Sequence, residues 1–558
     1  MKKYKEDIID YLIPISIGIT IAILLVLPQL INRIGFTGDD TIFHFSRFLD
    51  TAEQIKNHNF SYFQMIYGMG QTGRIINALY GPLFAYLMGV LVLISGSWFR
   101  FQILLTILLF IIGSVGFFKL SRKINISRTV ASIVTSLFLV TGYTFYWIYS
   151  NNGNCLGAFL MPYVLMQGID LINSDKKEIN WITLGITISI LAQIHLLSTF
   201  MAVLVLVPCF IYGLIHSTDK KRLWINVGKS IVLFIILTAN VWGAFIYLYT
   251  TNTLSAPLDF PAVNSTLNLF AFGKTTMWKS ITGVTTVLLC LQLIYVGFNF
   301  KSSKLNTFLT LEGLVFLLLS SNLFPWSFID KELPAVSSYF QFPNRFTVLA
   351  YPLLYLGIGL TLTEINKKWG LKVGIVVNVL VLLVAICNYN SDLTEVNNKV
   401  LYERTNSQRI EKFKDKNLLH YFTQQPNNPD YLPIQRKISS WDIEKLVDKE
   451  LIYDQSVNKT AISNGRLQLK WNEEETSIKT LPIVMYHQSE LSINGKKVKP
   501  KLNVIGMPQI KAKKGENVAI LSFKTPIAFK GLLCVTIIGW LGILIYSMVS
   551  LFKYCSRK

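Results

Sequence analysis

Long apolar runs recur along most of this chain and are separated by short polar segments. A membrane-spanning helix needs about 20 consecutive apolar residues, and thirteen runs are candidates for such helices. They cover residues 11–31, 76–96, 101–120, 128–149, 155–173, 181–197, 199–216, 225–249, 281–298, 305–323, 346–363, 373–388 and 531–552. This pattern predicts a polytopic α-helical membrane protein.

The composition agrees with this prediction. Hydrophobic residues make up 51% of the 558 residues, charged residues make up 15%, and the mean hydropathy is +0.43. Soluble globular domains usually contain about 25% charged residues, so the class of soluble proteins is excluded. The first apolar run is too long for a cleaved signal peptide, and we expect it to remain as the first helix.

The basic residues indicate the orientation in the membrane. Clusters occur at Lys2/Lys3/Lys5, Lys119/Arg122/Lys123/Arg128, Lys176/Lys177, Lys220/Lys221/Arg222, Lys301/Lys304, Lys367/Lys368/Lys372 and Lys553/Arg557/Lys558. All of these clusters fall on one side of the membrane if the segment 76–96 lies at the membrane interface and about twelve helices span the membrane. The positive-inside rule then places both termini in the cytoplasm. The net charge of +21 is assigned mainly to these cytoplasmic loops, and no nucleic-acid partner is expected.

This topology divides the chain into three parts. Residues 1–388 form a multi-span membrane domain whose first outer loop is 32–100, and residues 531–558 form the last helix with a cytoplasmic tail. Between them, 389–530 is predicted to be an extracellular module of mixed α/β structure ending in a β-sandwich. Asn494-Gly495 between alternating residues predicts a β-hairpin there. The mild basic excess of this module fits either ordinary surface charge or contact with an anionic envelope polymer.

Chemistry concentrates in the stretch GDDTIFHFSRF, which directly follows the first apolar run. In a helix, Asp40, His44 and Arg47 would lie on one face, with Gly38-Asp39 as the N-cap. One interpretation is structural: Asp39 caps, Asp40 pairs with His44, and Arg47 pairs with Asp50 or a lipid phosphate. The other is a site that combines a base, an imidazole and a phosphate-binding guanidinium at the membrane boundary.

Two further residues are candidates for the same outer face. Arg345 breaks the positive-inside pattern, so it either extends to lipid headgroups or binds a substrate phosphate. His195 ends a predicted span and is either a helix-end residue or a substrate contact. A divalent cation is compatible with the adjacent acids and histidine, but no clear ligand set identifies a metal site.

Several short segments resemble a known group of enzymes. They are DTIFH at 40–44, LYGPLFAYL at 79–87, AFLMPYVL at 158–165, IHLLS at 194–198 and QFPNRF at 341–346. With their order and the outer C-terminal module, the chain resembles the GT-C superfamily of membrane glycosyltransferases. Within it, the chain is most similar to the YfhO-like and 6-pyruvoyl-tetrahydropterin synthase-related bacterial membrane proteins. No pterin chemistry is implied, because the metal-binding histidines of such enzymes are missing.

The resemblance implies a reaction at the outer face of the cell membrane. A sugar would pass from a polyprenyl-phosphate carrier to a hydroxyl of an anionic cell-envelope polymer or glycolipid. Asp40 would be the catalytic base with Asp39 as its neighbour, and Arg345, His44, Arg47 and His195 would contact the phosphate or substrate. A positioned carboxylate can accept the hydroxyl proton, and cations stabilise the leaving phosphate.

Two other classes of function remain open from the sequence. A transporter, flippase or polysaccharide polymerase would also have many spans, but the spans here contain few charged residues, which is unusual for an ion-coupled carrier. A non-catalytic scaffold with an outer β domain would leave the GDDTIFH segment without a role.

Overall fold

The computed structural model describes residues 2–32, 40–142, 152–269, 271, 281–301, 303–365, 372, 376–381, 383, 429–452 and 456–556. Most of them are helical. The helices are α1 (Lys2–Asn32), α2 (Thr41–Lys56), α3 (Ile76–Leu79), α4 (Pro82–Ser95), α5 (Trp98–Lys123), α6 (Arg128–Leu139), α7 (Asn152–Ile172), α8 (Trp181–Ile194), α9 (Leu196–His216), α10 (Lys220–Leu237), α11 (Ala239–Thr251), α12 (Gly283–Phe298), α13 (Lys304–Ser320), α14 (Trp326–Glu332), α15 (Pro334–Phe340), α16 (Thr347–Ile365), α17 (Ser440–Leu446) and α18 (Ile527–Ser556).

Within the described residues, five helices are long and apolar enough to cross a membrane. They comprise Ile8–Leu27, Trp98–Lys123, Leu196–His216, Pro343–Ile365 and Ile527–Ser550. A sixth is present if α10 and α11, which are bent by 65° at their junction, form one broken span. Several other predicted spans are shorter apolar helices here, so the count of twelve stays a prediction. The architecture is nevertheless that of a polytopic membrane protein.

The predicted segment 76–96 is broken in the structure. Helix α3 ends at Leu79, and α4 begins at Pro82 after the left-handed Gly81, whose φ is +72°. A β-carbon at Gly81 would lie 2.5 Å from the Ile194 carbonyl oxygen, so only glycine allows this approach. The break brings Tyr80 next to the junction of α8 and α9.

The C-terminal part before α18 contains two antiparallel sheets. Strands β1 (Asn458–Ile462), β2 (Arg466–Glu473), β8 (Gly515–Phe523), β4 (Ser489–Ile493) and β5 (Lys496–Val498) form one sheet in that order, and β3 (Ser477–Thr480), β7 (Pro508–Ala512) and β6 (Lys501–Leu502) form the other. Alternate residues of both sheets, such as Leu469 and Ile510, share one hydrophobic core.

The predicted hairpin is confirmed. Ile493 pairs with Lys496, which leaves Asn494 and Gly495 as a two-residue turn. Their φ values are +49° and +80°, as a type I′ turn requires. The boundaries 389–530 of the whole module stay a prediction, since residues 389–428 lie outside the described part of the chain.

Residues 57–75, part of the predicted first outer loop, pack against this β domain. Ile66 is buried in the core shared by the two sheets, and Phe63 is buried in a second cluster with Tyr486. The backbone N–H of Val484 donates to the Thr72 carbonyl at 2.9 Å, and the Lys459 ammonium donates to the Gly70 carbonyl at 3.0 Å. The two regions are therefore held together beside α2.

Candidate functional site

Helix α2 begins one residue later than the predicted cap implies. Asp40, not Asp39, is the N-cap residue, and its side chain makes no capping hydrogen bond to the first turn. The backbone N–H of His44 donates to the Asp40 carbonyl at 3.0 Å, which fixes the helical spacing of these residues. Asp39 lies outside the described residues. The Asp40 carboxylate is thus not used to cap α2.

Arg47 is fully buried on the inner face of α2. Its Nε donates to Asn77 Oδ1 at 3.0 Å, Nη1 donates to His44 Nδ1 at 3.1 Å, and Nη2 donates to the Tyr80 carbonyl. The guanidinium carbon also lies 4.7 Å from the centroid of the Tyr80 ring. Burial lowers the pKa of Arg47 to about 10, so the group stays charged near neutral pH. The suggested pairing of Arg47 with Asp50 is indirect and passes through Asn77.

His44 is also buried and neutral. Burial, followed by the charge of Arg47 and then by His195, lowers the pKa of His44 well below its usual value. Because arginine can only donate, His44 Nδ1 accepts and Nε2 carries the hydrogen. Among the described residues, Nε2 has no hydrogen-bond partner. The suggested pairing of His44 with Asp40 is replaced by the contact with Arg47.

Asp50, one turn further along α2, organises the first outer loop. Its Oδ1 accepts the backbone N–H groups of Ile66, Tyr67 and Gly68 at 2.9, 2.8 and 3.0 Å. Its Oδ2 accepts from Gln54 Nε2 at 2.7 Å and from Asn77 Nδ2 at 3.4 Å. Burial raises the pKa of Asp50, and the hydrogen bonds oppose this effect. The carboxylate fixes loop 66–68 and, through Asn77, the Arg47 side chain.

Tyr80 is at the centre of the site. Its hydroxyl lies 3.1 Å from His195 Nε2, and His195 Nδ1 lies 2.9 Å from the Ser198 hydroxyl. His195 itself is the residue between α8 and α9. Burial, and then the negative charge of Asp40, raise the pKa of Tyr80 to about 12, so the phenol keeps its proton. A chain of hydrogen bonds therefore connects Tyr80, in the predicted first outer loop, to the first turn of α9.

Charged groups from distant parts of the sequence interact with Tyr80. Asp40, Arg47, Arg345 and Asp430 all act on it electrostatically. Arg345, in the turn Pro343–Phe346 before α16, is partly exposed. Its Nη1 donates to the Phe340 carbonyl at 3.2 Å, and its guanidinium carbon lies 4.6 Å from the Phe342 ring centroid. The guanidinium also interacts with the charge of Asp40.

The described site residues predicted from the sequence occur together. Asp40, His44, Arg47, His195 and Arg345 lie around Tyr80, although Arg47 and His44 are buried rather than open to a ligand. The predicted list lacked Asp430, Asn77 and the central role of Tyr80. Asp430 carried no signal in the sequence, because it follows a long hydrophilic stretch far from the other residues.

Metal binding was left open by the sequence. Among the residues the structure describes, no group of three or more histidine, cysteine or acidic side chains is close enough to hold a metal ion. The role of each predicted site residue stays a prediction.

The close approach at Gly81 gives a test of this arrangement. Gly81→Ala should place a β-carbon against the carbonyls of Gln193 and Ile194 and push Tyr80 away from His195. The left-handed backbone alone costs about 1 to 2 kcal/mol, and the contact adds to it. Gly96→Ala is the matched control, since Gly96 has φ +66° and open space around its β-carbon. Thermal unfolding in detergent should show a larger loss for Gly81→Ala, and equal losses would contradict the packing described.

No protein-family model matches the chain, and no curated protein matches it. Among solved structures, the oligosaccharyltransferase of Archaeoglobus fulgidus in the apo form is similar, with 12% identity, a TM-score of 0.36, and coverage of 78% of this chain and 63% of that chain. Its complex with Zn and sulfate has 15% identity and a TM-score of 0.33, and the match covers 74% of this chain and 57% of that chain.

A third similar structure is the oligosaccharyltransferase AglB from the same organism, in complex with an inhibitory peptide and a dolichol-phosphate. The identity is 14%, the TM-score is 0.38, and the match covers 76% of this chain and 61% of that chain. The chain thus spans about three fifths of the length of these archaeal proteins. These TM-scores are too low to establish a shared fold, so the function is inferred from the residues of the site.

Proposed function

We propose that the protein is a membrane glycosyltransferase that moves a sugar from a polyprenyl-phosphate carrier to a hydroxyl of a cell-envelope acceptor on the outer face. The observation that supports this proposal best is that Asp40 and Arg345 interact electrostatically with each other and with Tyr80, whose hydroxyl lies 3.1 Å from His195 Nε2. A base and a phosphate-binding cation are the two groups that such a transfer needs. The resemblance to the GT-C superfamily and its YfhO-like members is part of the proposal.

Asp40 is assigned the role of general base. The acceptor hydroxyl gives its proton to the Asp40 carboxylate while its oxygen attacks the anomeric carbon of the donor sugar. The bond between that carbon and the phosphate oxygen breaks, and the phosphate leaves with the electron pair.

Arg345 is assigned to the leaving phosphate. It is half-buried at the start of an apolar helix, and in the predicted topology this end of the helix faces the outer membrane surface, where the lipid phosphate of the donor would lie. A guanidinium binds phosphate oxygens with two parallel hydrogen bonds. His195, whose Nε2 lies 3.1 Å from the Tyr80 hydroxyl, is assigned to the substrate.

Arg47 has a different role from Arg345. Since Arg47 is fully buried and donates to Asn77, His44 and the Tyr80 carbonyl, it acts by holding Tyr80 in place. The predicted acceptor is an anionic envelope polymer or a glycolipid, and the outer module beside α2 would help to orient it. Both termini are predicted to be cytoplasmic.

Transfer by the purified protein tests the proposal. The protein in liposomes would receive polyprenyl-phosphate glucose, mannose, galactose or N-acetylglucosamine with a labelled sugar, and envelope fragments from cells that lack the protein would serve as acceptors. We expect label in the envelope fraction with one donor, and the matching sugar should be missing from the glycans of those cells. If no donor gives incorporation and the envelope glycans are unchanged, the protein is not a glycosyltransferase of this kind.

A further inference from the structure

The short helices α14 and α15 lie between the C-terminal end of α13 and the N-terminal end of α16 and pack together with the turn 262–265. The Asp330 carboxylate of α14 accepts two backbone N–H groups of that turn at 2.8 and 3.0 Å, and it also accepts the Ser337 hydroxyl of α15. One carboxylate therefore joins three segments into a single unit. We call this unit, residues 262–265 and 323–340, the platform.

Buried aromatic rings attach the platform to two membrane helices. The Trp326 ring is stacked on the Phe340 ring with 6.0 Å between centroids, and the Phe340 ring lies 4.8 Å from the Phe346 ring. The Trp326 indole N–H donates to the Leu319 carbonyl at 2.8 Å, in the last turn of α13. Because Phe346 lies in the first turn of the span Pro343–Ile365, the platform lies beside the beginning of that span.

The length of this span sets the depth of the platform. The span has 23 residues, and at a rise of about 1.5 Å per residue it covers about 35 Å. The hydrocarbon core of a bilayer is about 30 Å thick, so the first turn of the span lies at the membrane surface. The platform, whose rings contact that turn, is therefore at the depth of the interface between acyl chains and headgroups.

Large apolar side chains of the platform are exposed at this depth. They are Leu323, Phe328, Leu333 and Val336. They follow an exposed apolar stripe on α13 at the spacing of one helix face, which consists of Leu311, Val315 and Leu318. Several exposed apolar side chains on one small unit mark a surface that contacts another apolar phase. Since the stripe belongs to a membrane helix and leads directly to the platform, that phase is the lipid.

We propose that the platform inserts its exposed apolar side chains into the bilayer leaflet at which the span Pro343–Ile365 begins, the outer leaflet in the predicted topology. Moving apolar surface from water into acyl chains is favourable, and aromatic side chains are enriched at this depth. Lys331 and Glu332, which are exposed at the end of α14, would extend to the headgroups. The inference does not rest on the proposed function, because it concerns contact with lipid and not sugar transfer.

Insertion has a consequence for Arg345. Its Nη1 donates to the carbonyl of Phe340, the last residue of α15, at 3.2 Å, and its guanidinium carbon lies 4.6 Å from the Phe342 ring centroid. The guanidinium is thus attached to the end of the platform. A platform inserted at the interface holds Arg345 at the depth of the lipid phosphates, which is the depth that the proposed function requires of it.

Photo-cross-linking to lipid tests the insertion. p-Benzoylphenylalanine would replace Phe328 in the full chain, and the protein would be reconstituted in liposomes of palmitoyl-oleoyl phosphatidylglycerol. Irradiation joins the benzophenone to C–H bonds within its reach, and mass spectrometry of the digested protein identifies the molecule that is attached. We expect a phospholipid adduct at position 328 in a yield similar to that at Val315, which serves as the reference position on the lipid-facing stripe of α13.

Ile478 is the matched control, since it is an exposed large apolar residue on strand β3 of the β domain. The same replacement there should give no phospholipid adduct. Val336 takes the place of Phe328 if the first variant does not fold in detergent. A phospholipid yield at the platform no higher than at position 478, or cross-links to protein in place of lipid, overturns the inference. Sugar transfer is not measured in this experiment, so either result leaves the glycosyltransferase proposal to its own test.

Discussion

Replacing Asp40 by asparagine is expected to reduce sugar transfer by about 10²- to 10⁴-fold, the usual loss when a positioned base is removed. The amide has nearly the same shape as the carboxylate but cannot take a proton at neutral pH. Because the Asp40 side chain makes no capping hydrogen bond, α2 should begin at the same residue in the variant. Transfer of labelled sugar from the polyprenyl-phosphate donor measures the loss, and thermal unfolding in detergent confirms that the protein is folded.

Asp39→Asn and Arg345→Lys provide the comparison. If Asp39 only supports the start of the helix, its asparagine variant should retain most activity, because asparagine replaces aspartate well at such positions. The transfer activity of Arg345→Lys should lie between those of Asp40→Asn and Asp39→Asn, since a lysine cannot bind a phosphate with two parallel hydrogen bonds. A loss with Asp39→Asn and normal transfer with Asp40→Asn would move the base to Asp39. Normal transfer by both aspartate variants would reduce this segment to a structural role.

Removing the Asp50 carboxylate is expected to cause the largest loss of stability. Asp50→Ala leaves three backbone N–H groups and two side-chain amides without their acceptor in a fully buried place. Each buried donor without a partner costs about 1 to 3 kcal/mol, so the total loss should exceed about 3 kcal/mol. Thermal unfolding in detergent should show this loss, and limited proteolysis should cut the loop 57–75 faster than in the unaltered protein.

Glu53→Gln is the control on the same helix. Glu53 is partly exposed, and among the described residues its carboxylate accepts hydrogen bonds from Lys56 and Asn57, so its replacement should change the stability by less than about 0.5 kcal/mol. Equal effects of the two substitutions would mean that Asp50 does not hold the loop.

Local features were predictable from the sequence. Five of the apolar runs correspond to the five helices of the described residues that are long and apolar enough to cross a membrane, since burial in lipid requires a long uninterrupted run. The Asn494-Gly495 turn was predictable because only a few residue pairs accept two successive positive φ values. The number of spans was less certain, because a run such as 76–96 looks continuous although Gly81 breaks it.

The sequence by itself determined that Asp40, His44 and Arg47 share a helix face, because helical periodicity acts over a few residues. Only the tertiary structure decided which groups contact that face. Arg47 is buried because Asn77, His44 and Tyr80 provide acceptors for it, and those acceptors depend on how α2 packs against the first outer loop. Ser255 and Arg74 hold the backbone around Asp430, and no local pattern encodes contacts between residues so far apart in the chain.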